Sequence, residues 1–110
     1  MGITRYTGTE TGRVFTVMNH VRVTLASGLG QGNGGTSAPS GGCWIQPVTG
    51  NTACVRVAVG EAASATVGID LPFVSATVAE QPFFLPIDDV SKLYFYSSDT
   101  DAVVDILYVG

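Results

Sequence analysis

The chain is 110 residues long; 45% of its residues are hydrophobic, 13% are charged, and the formal net charge is −4. This length predicts one domain, residues 1–110, and excludes a multidomain protein. The five cations are scattered, which argues against a nucleic-acid partner. No apolar run approaches the length of a membrane span, and the start of the chain lacks the apolar core of a signal peptide. We therefore expect synthesis in the cytoplasm and no membrane partner.

The low charge favours an assembled protein over a free monomer. Charged residues make up about 25% of a typical soluble domain, roughly twice the share found here. A surface rich in Ser, Thr and Gly would also explain the difference, but we favour burial of apolar surface against another chain. The charge is unevenly placed, with a balance of +3 over residues 1–56 and −7 over residues 57–110. It becomes a dipole only if the fold separates the two halves.

The first part of the chain predicts short strands around a long loop. Residues 1–12 are predicted to form a mobile N-terminal arm, and β-rich runs follow at 14–18 and 21–25. The second run alternates apolar and polar residues, the pattern of a half-buried strand. Residues 27–42 are rich in glycine and serine with no core-building side chains, so they predict a mobile Gly/Ser-rich loop.

The middle of the chain predicts a β-hairpin, with strands at 43–48 and 53–59 and a turn at 49–52. In such a hairpin Cys43 and Cys54 would lie on one face but roughly 13 Å apart along the strands. A disulfide needs Cα atoms within about 7 Å. We therefore expect two free thiols, in keeping with cytoplasmic synthesis.

The last part of the chain predicts further strands, at 65–71, 73–79, 92–97 and 102–109. The segment 82–86 begins and ends with proline and is best suited to a sheet edge, and 87–91 suits one helical turn. The last two strands are predicted to form a hairpin that is apolar on both faces. Such strands lie inside a sandwich or under a neighbouring subunit.

These elements predict an all-β fold. About eight short strands, regular turn signals and no convincing helix are typical of an antiparallel β-sandwich or a jelly-roll-like barrel.

Few side chains in the sequence suit catalysis or metal binding. His20 is the sole histidine, and we favour an ordinary hydrogen bond at a strand end over a general base, which would need a nucleophile and an orienting group. Asp88 with Asp89, and Asp99 with Asp101, are too few ligands for Ca²⁺ and are common turn residues. We assign no catalytic, cofactor-binding or metal-binding residue, and we expect no enzymatic activity.

The aromatic side chains on the predicted strands suit a different role. Trp44, Tyr94, Tyr96 and Tyr108 would serve either as platforms for sugars and bases or as anchors in a core or an interface. Because the sequence clusters no polar partners around them, we favour anchors.

The C-terminal part of the chain resembles a known family. Residues 81–96 read QPFFLPIDDVSKLYFY and residues 105–109 read DILYV. This arrangement of an apolar strand, a short Asp/Ser turn and a terminal strand is similar to that of small virion proteins of tailed bacteriophages. The chain resembles their head-decoration, or cement, proteins.

The resemblance implies a structural virion protein on the capsid surface. It would bind the major capsid protein of the assembled head, stabilise the head by bridging capsomers, and form a homo-oligomer, with a trimer favoured. We expect the arm and the Gly/Ser-rich loop to become ordered on the capsid or on a sister subunit. The candidate interface residues are Ile3, Arg5, Tyr6, Leu29, Phe83, Phe84, Tyr94, Tyr96 and Tyr108.

An alternative from another functional class is a carbohydrate- or receptor-binding β-module of a fibre or adhesin. The feature that distinguishes it is a groove lined by exposed aromatic side chains with Asn, Asp and Gln around them. A small hydrolase is a more distant third alternative.

Overall fold

The computed structural model describes residues 18–73, 75–78 and 81–110. The predicted arm at 1–12 lies outside the described residues, and so do the candidate interface residues Ile3, Arg5 and Tyr6. Of the predicted strand 14–18, only Met18 is described. In the part of the chain that is described, no helix has the length and apolar character needed to cross a membrane.

The regular structure of the described residues consists of strands and two short 3-10 turns. The strands are β1 (Asn19–Thr24), β2 (Leu29–Gln31), β3 (Cys43–Pro47), β4 (Val55–Val59), β5 (Ile69–Asp70), β6 (Phe83–Leu85), β7 (Leu93–Ser97) and β8 (Val103–Tyr108). The 3-10 turns are Gly32–Gly35 and Val90–Lys92.

The strands form two four-stranded antiparallel sheets. Sheet one has the order β1-β8-β3-β6 and sheet two the order β2-β7-β4-β5. The chain thus pairs from its ends inward, β1 with β8, β2 with β7, β3 with β6 and β4 with β5. The pairs β3–β8 and β4–β7 complete the two sheets. This is the strand order of an eight-stranded jelly roll, so the predicted all-β sandwich or jelly-roll fold is confirmed.

Both predicted hairpins are wrong. β3 and β4 lie in different sheets, and so do β7 and β8. Turn residues predict where the chain reverses, whereas the pairing partner is set by which arrangement buries the apolar face of each strand against another sheet. In this fold those partners are remote in sequence. The last two strands also bury mainly one face, since Leu107 of β8 is 40% exposed.

The crossover from sheet one to sheet two is held by Asn51, which is only 4% exposed. Its side-chain amide donates to the carbonyl oxygen of Val103 at 2.9 Å, and its Oδ1 accepts from the backbone N–H of Val103 at 2.9 Å. The side chain therefore continues the hydrogen bonding of β8 beyond the end of β3. Because both polar ends of the amide are bonded, its burial carries no unsatisfied group.

The core lies between the two sheets. Its largest fully buried side chains are Phe95, Leu25, Ile45, Leu71, Leu93 and Ile106. In β3 and β7 every second residue is buried, as the two-residue period of a strand requires. Full burial of one such side chain stabilises the fold by about 1.5–3 kcal/mol.

The segment 27–42 is not the structureless loop that its composition predicts. It contains β2 and a 3-10 turn, and Ala38 belongs to the core. Gly28 and Gly32 are buried, and a Cβ on either would collide with a backbone carbonyl oxygen, of Ser97 and Val90 respectively. Glycine is required at these two positions for close backbone packing. A glycine-rich composition does not by itself distinguish such packing from flexibility.

Local hydrogen bonds shorten one predicted strand and replace another with a turn in its described residues. The run 65–71 contains only β5, because the Ser64 hydroxyl accepts from the backbone N–H groups of Thr66 and Val67 and holds a turn. Of the run 73–79, residues 75–78 form a turn in which Ser75 accepts from Thr77 N–H. Ser and Thr side chains that bond nearby backbone compete in this way with sheet pairing.

The edge strand predicted between the last two prolines is confirmed, because β6 is the edge strand of sheet one. The helical turn predicted at 87–91 lies further along the chain, as a 3-10 turn at Val90–Lys92. Asp89 caps this turn through Ser91 N–H at 2.9 Å and also accepts from Ala38 N–H at 2.8 Å and the Ser37 hydroxyl. These bonds hold the pKa of Asp89 well below its usual range, with the Ser37 bond as the largest cause. The carboxylate thereby ties the Gly/Ser-rich segment to the C-terminal strands.

Candidate functional site

The outer face of sheet one carries a row of large side chains, here called the aromatic row. Its members are Phe84, Trp44, Leu107 and His20. Trp44 pairs with Phe84 on one side and with Leu107 on the other, and Leu107 pairs with His20. Trp44, Phe84 and Leu107 are 43%, 44% and 40% exposed. The Trp44 and Phe84 rings pack with their centroids 4.9 Å apart and their planes inclined by 56°. The jelly roll thus brings together four side chains from four strands.

A second row on the same face, here called the polar row, consists of Gln46, Asp105 and Arg22 in cross-strand register. Arg22 donates two hydrogen bonds to Asp105, from Nε to Oδ1 at 2.8 Å and from Nη2 to Oδ2 at 3.0 Å. His20 Nε2 lies 3.0 Å from Asp105 Oδ1. The Arg22 hydrogen bond, helped by His20, lowers the pKa of Asp105 against the opposing effect of its partial burial. The carboxylate is therefore fixed in orientation and stays ionised at neutral pH.

Side chains of both rows line an open groove of about 420 Å³, here called the Trp44 groove; its lining includes His20, Trp44, Gln46, Pro82, Asp105 and Leu107. This volume lies within the range of roughly 300–1,000 Å³ that is typical of small-molecule sites. Aromatic and aliphatic walls with a few placed polar groups are also typical of such sites.

The outer face of sheet two is built differently. Leu29, Tyr96, Arg56 and Asp70 form a cross-strand row. Leu29 is 53% exposed. The two charged residues of the row form an ion pair, with Arg56 Nε 3.2 Å from Asp70 Oδ1.

Beside this row, Tyr94 accepts a 3.2 Å hydrogen bond from Gln31 Nε2. A smaller groove of about 290 Å³ is lined by Leu29, Gln31, Ala62 and Tyr94, among others. Leu29, Tyr94 and Tyr96 are named here the sheet-two surface. Two further side chains of this sheet, Val59 and Ile69, are 50% and 55% exposed.

The structure does not gather the predicted interface residues into one surface. Leu29, Tyr94 and Tyr96 lie together on sheet two, as described above, whereas Phe84 lies on the outer face of sheet one. Phe83 and Tyr108 are partly buried and pack against the core. The described members of the predicted set therefore divide into two opposite outer faces and an inner pair.

In the described part of the chain, two cations of the basic half pair with carboxylates of the acidic half. Arg22 pairs with Asp105 and Arg56 with Asp70, so each of these cations meets a carboxylate of the acidic half. Because the jelly roll pairs strands from the start of the chain with strands from its end, the basic and acidic halves of the sequence lie side by side. Lys92 lies 2.8 Å from Asp88 within the acidic half, and this ion pair raises the pKa of the Lys92 ammonium.

The acidic turns have structural hydrogen bonds. Asp99 accepts from the backbone N–H groups of Thr52 at 2.8 Å and Asp101 at 3.0 Å, and these bonds lower the pKa of Asp99. Asp89 has the capping role described above. Among the described residues, no group of three or more His, Cys, Asp or Glu side chains is placed to hold a metal ion.

Both cysteines are free thiols, but the reason predicted from the sequence is wrong. Cys43 lies in sheet one and Cys54 precedes the first residue of β4 in sheet two, so no common hairpin separates them. Burial raises the pKa of the Cys43 thiol to about 11. Burial and the neighbouring Asp70 carboxylate raise the pKa of Cys54. Neither thiol is an activated nucleophile, because only the thiolate is reactive.

The sequence-based interface residues omit Trp44, the centre of the groove. Strand alternation carries the signal that would have found it, because Cys43 and Ile45 point inward and Trp44 and Gln46 therefore point outward. Asp105 and Arg22 join them only through pairing with β8 and β1, which no local pattern predicts.

Comparison of the chain with protein-family models finds no match, and comparisons with curated proteins and with solved structures find none either.

Proposed function

We propose that this chain is a structural, non-enzymatic protein that decorates the head of a tailed bacteriophage. It binds the major capsid protein of the assembled head as a trimer and bridges capsomers. The observation that carries the proposal is the sheet-two surface, where Leu29 is 53% exposed next to Tyr94 and Tyr96.

The composition of the sheet-two surface supports docking on another protein. Tyrosine is enriched in protein interfaces because its ring buries apolar area while its hydroxyl keeps a polar partner. Tyr94 has such a partner in Gln31. The nearby charges, Arg56 and Asp70, already neutralise each other, so covering this face leaves no unpaired charge to desolvate.

The jelly-roll fold is compatible with this role, since the architecture occurs in viral capsid proteins and also in lectins. Fold alone does not determine function. The C-terminal resemblance to decoration proteins favours the first of these two classes.

The physical effect of decoration follows from linkage. A protein that binds the assembled head and not its separated subunits stabilises the assembled state in proportion to the sites it occupies. A trimer contributes three copies of the sheet-two surface at once, which raises the avidity without any new contact.

The proposal is tested by cosedimentation with heads assembled from the major capsid protein of the same genome. Leu29→Ser is expected to weaken binding about tenfold, because it removes an exposed apolar side chain that the capsid would bury. The matched control is Leu107→Ser, which removes the same side chain from the opposite face, and its binding is expected to be unchanged. Absence of wild-type binding, or loss of binding in Leu107→Ser alone, would contradict the proposal.

The oligomeric part of the proposal has its own measurement. Light scattering on a sizing column is expected to give three chain masses for the purified protein. A monomer at the concentration that saturates heads would contradict the trimer.

A further inference from the structure

We propose that the Trp44 groove binds a neutral hexopyranose sugar, with the apolar face of the sugar ring stacked on the Trp44 indole. The groove lies on sheet one, away from the sheet-two surface, so this inference does not depend on the capsid proposal. It gives the protein a second function, in which the face opposite the docked one binds a glycan.

The stacking platform is a built feature of sheet one. Trp44 is 43% exposed although it lies on a central strand, and the Phe84 ring packs against it at 4.9 Å. Gly42 makes this packing possible, because a Cβ there would lie 2.7 Å from Phe84 Cζ. A sugar ring presents C–H groups on one face, and these complement the negative face of an indole.

The polar row supplies hydrogen bonds beside the platform. Gln46 and Asp105 of this row line the groove. Asp105 accepts two bonds from Arg22 and lies within hydrogen-bonding distance of His20, so its orientation is set before a ligand arrives. Adjacent sugar hydroxyls both donate and accept, and a planar carboxylate beside a planar amide matches that requirement.

The charge of the groove selects a neutral sugar. The Arg22 guanidinium is paired with Asp105 through two hydrogen bonds, so its charge is already compensated. An acidic sugar would have to compete with Asp105 for Arg22 and would lie next to a fixed carboxylate. A neutral sugar binds without separating this pair.

A protein partner suits this face less well than a sugar. A stable protein interface buries about 800 Å² on each side, whereas the Trp44 groove has a volume of about 420 Å³, the size of a small-molecule site.

The chain contains one tryptophan, so its intrinsic fluorescence reports on the groove directly. Full-length protein is titrated with three neutral probes, maltotriose, lactose and mannotriose, and with trigalacturonic acid as the acidic counterpart. At least one neutral probe is expected to change the fluorescence saturably with a millimolar Kd, and trigalacturonic acid is expected to bind more weakly. No saturable response to any neutral probe, or tighter binding of the acidic one, would overturn the proposal.

Variants then locate the site by saturation-transfer NMR, which needs no tryptophan. Trp44→Leu and Gln46→Ala are each expected to weaken binding of the active probe about tenfold, with a melting temperature close to that of the wild type because both side chains lie on the outer face. Leu29→Ser, on the sheet-two surface, is expected to bind the sugar like the wild type. Unchanged sugar binding in Trp44→Leu would refute the site.

Head binding measured on the same variants separates the two proposals. Trp44→Leu is expected to cosediment with heads like the wild type and to lose the sugar. Leu29→Ser is expected to show the opposite pattern.

Discussion

Sheet one and sheet two both expose large apolar side chains, but they surround them with different polar groups. On sheet one, Trp44 is 43% exposed beside a row in which Arg22 and His20 hold Asp105. On sheet two, Leu29 is 53% exposed beside tyrosines, and the nearest charges form one closed ion pair. Exposure is therefore similar on the two faces. On sheet one the ion pair has His20 and Gln46 beside it, and this difference is the basis for proposing a sugar site there and a protein-docking surface on sheet two.

Both outer faces result from the alternation of side chains along each strand, in which every second residue points away from the core. In sheet one, β3 and β8 lie in the middle and contribute Trp44, Gln46 and Asp105 to the outside. In sheet two, the central strand β7 contributes Tyr94 and Tyr96. The residues that point outward from the central strands therefore decide the chemistry of each face.

The largest expected effect distinguishes the inside of the sandwich from its outside. Phe95 and Phe84 have the same side chain, but they are 1% and 44% exposed. Phe95→Ala is expected to lower the free energy of unfolding by about 3–5 kcal/mol, because it leaves a cavity in the core. Phe84→Ala is expected to cost clearly less, as a substitution on the outer face. Chemical denaturation of both variants measures the difference, and equal losses would contradict the assignment of inner and outer faces.

The next effect concerns the crossover that connects the two sheets. Asn51→Ala leaves the N–H of Val103 without its side-chain acceptor and takes one donor from its carbonyl oxygen. We expect the free energy of unfolding to fall by about 1–3 kcal/mol, the cost of an unsatisfied buried polar group. Asn19→Ala, at an exposed position at the start of β1, is the control and is expected to have little effect. A loss of stability in Asn51→Ala no larger than in this control would show that the amide does not hold the crossover.

The smallest effect concerns the pH dependence of the polar row on sheet one. The pKa of Asp105 is lowered in the folded protein, chiefly by its hydrogen bond with Arg22. The ionised carboxylate therefore adds stability above its unfolded pKa of about 3.9, and this contribution is lost as the pH falls through the folded pKa. The stability difference between the wild type and Asp105→Asn is expected to be largest near neutral pH and to shrink below about pH 4.

Urea denaturation at a series of pH values measures this difference. Asp101→Asn, at an exposed position outside the Arg22 pair, serves as the control. A difference between wild type and Asp105→Asn that grows toward acid pH would have the wrong sign for the proposed pair.

The sequence predicts the class of fold because that information is local. Strand alternation places Val23 and Leu25 in the core, and the prolines around Phe83–Leu85 predict the edge position that β6 occupies. Pairing is not local. The turn at 49–52 has the composition of a hairpin, yet β3 pairs with β8 some 60 residues away, because only that arrangement buries its inner face.

The candidate site depends on the same remote pairing. Strand alternation predicts that Trp44 and Gln46 share a face, but Arg22 and Asp105, which are 83 positions apart, reach that face through β1 and β8. Gly28 and Gly32 show a similar limit of sequence-based prediction. The glycine-rich composition of their segment indicates a mobile loop, whereas in the fold both glycines pack closely against backbone carbonyl groups. In both cases the decisive information is three-dimensional.

The orientation of the protein on the head tests the central claim most directly. Electron cryo-microscopy of heads saturated with the wild-type protein is expected to show trimers bridging capsomers, with Leu29, Tyr94 and Tyr96 against the shell and Trp44 facing the medium. Trimers that place the Trp44 groove against the shell, or heads that carry no added density, would contradict the account.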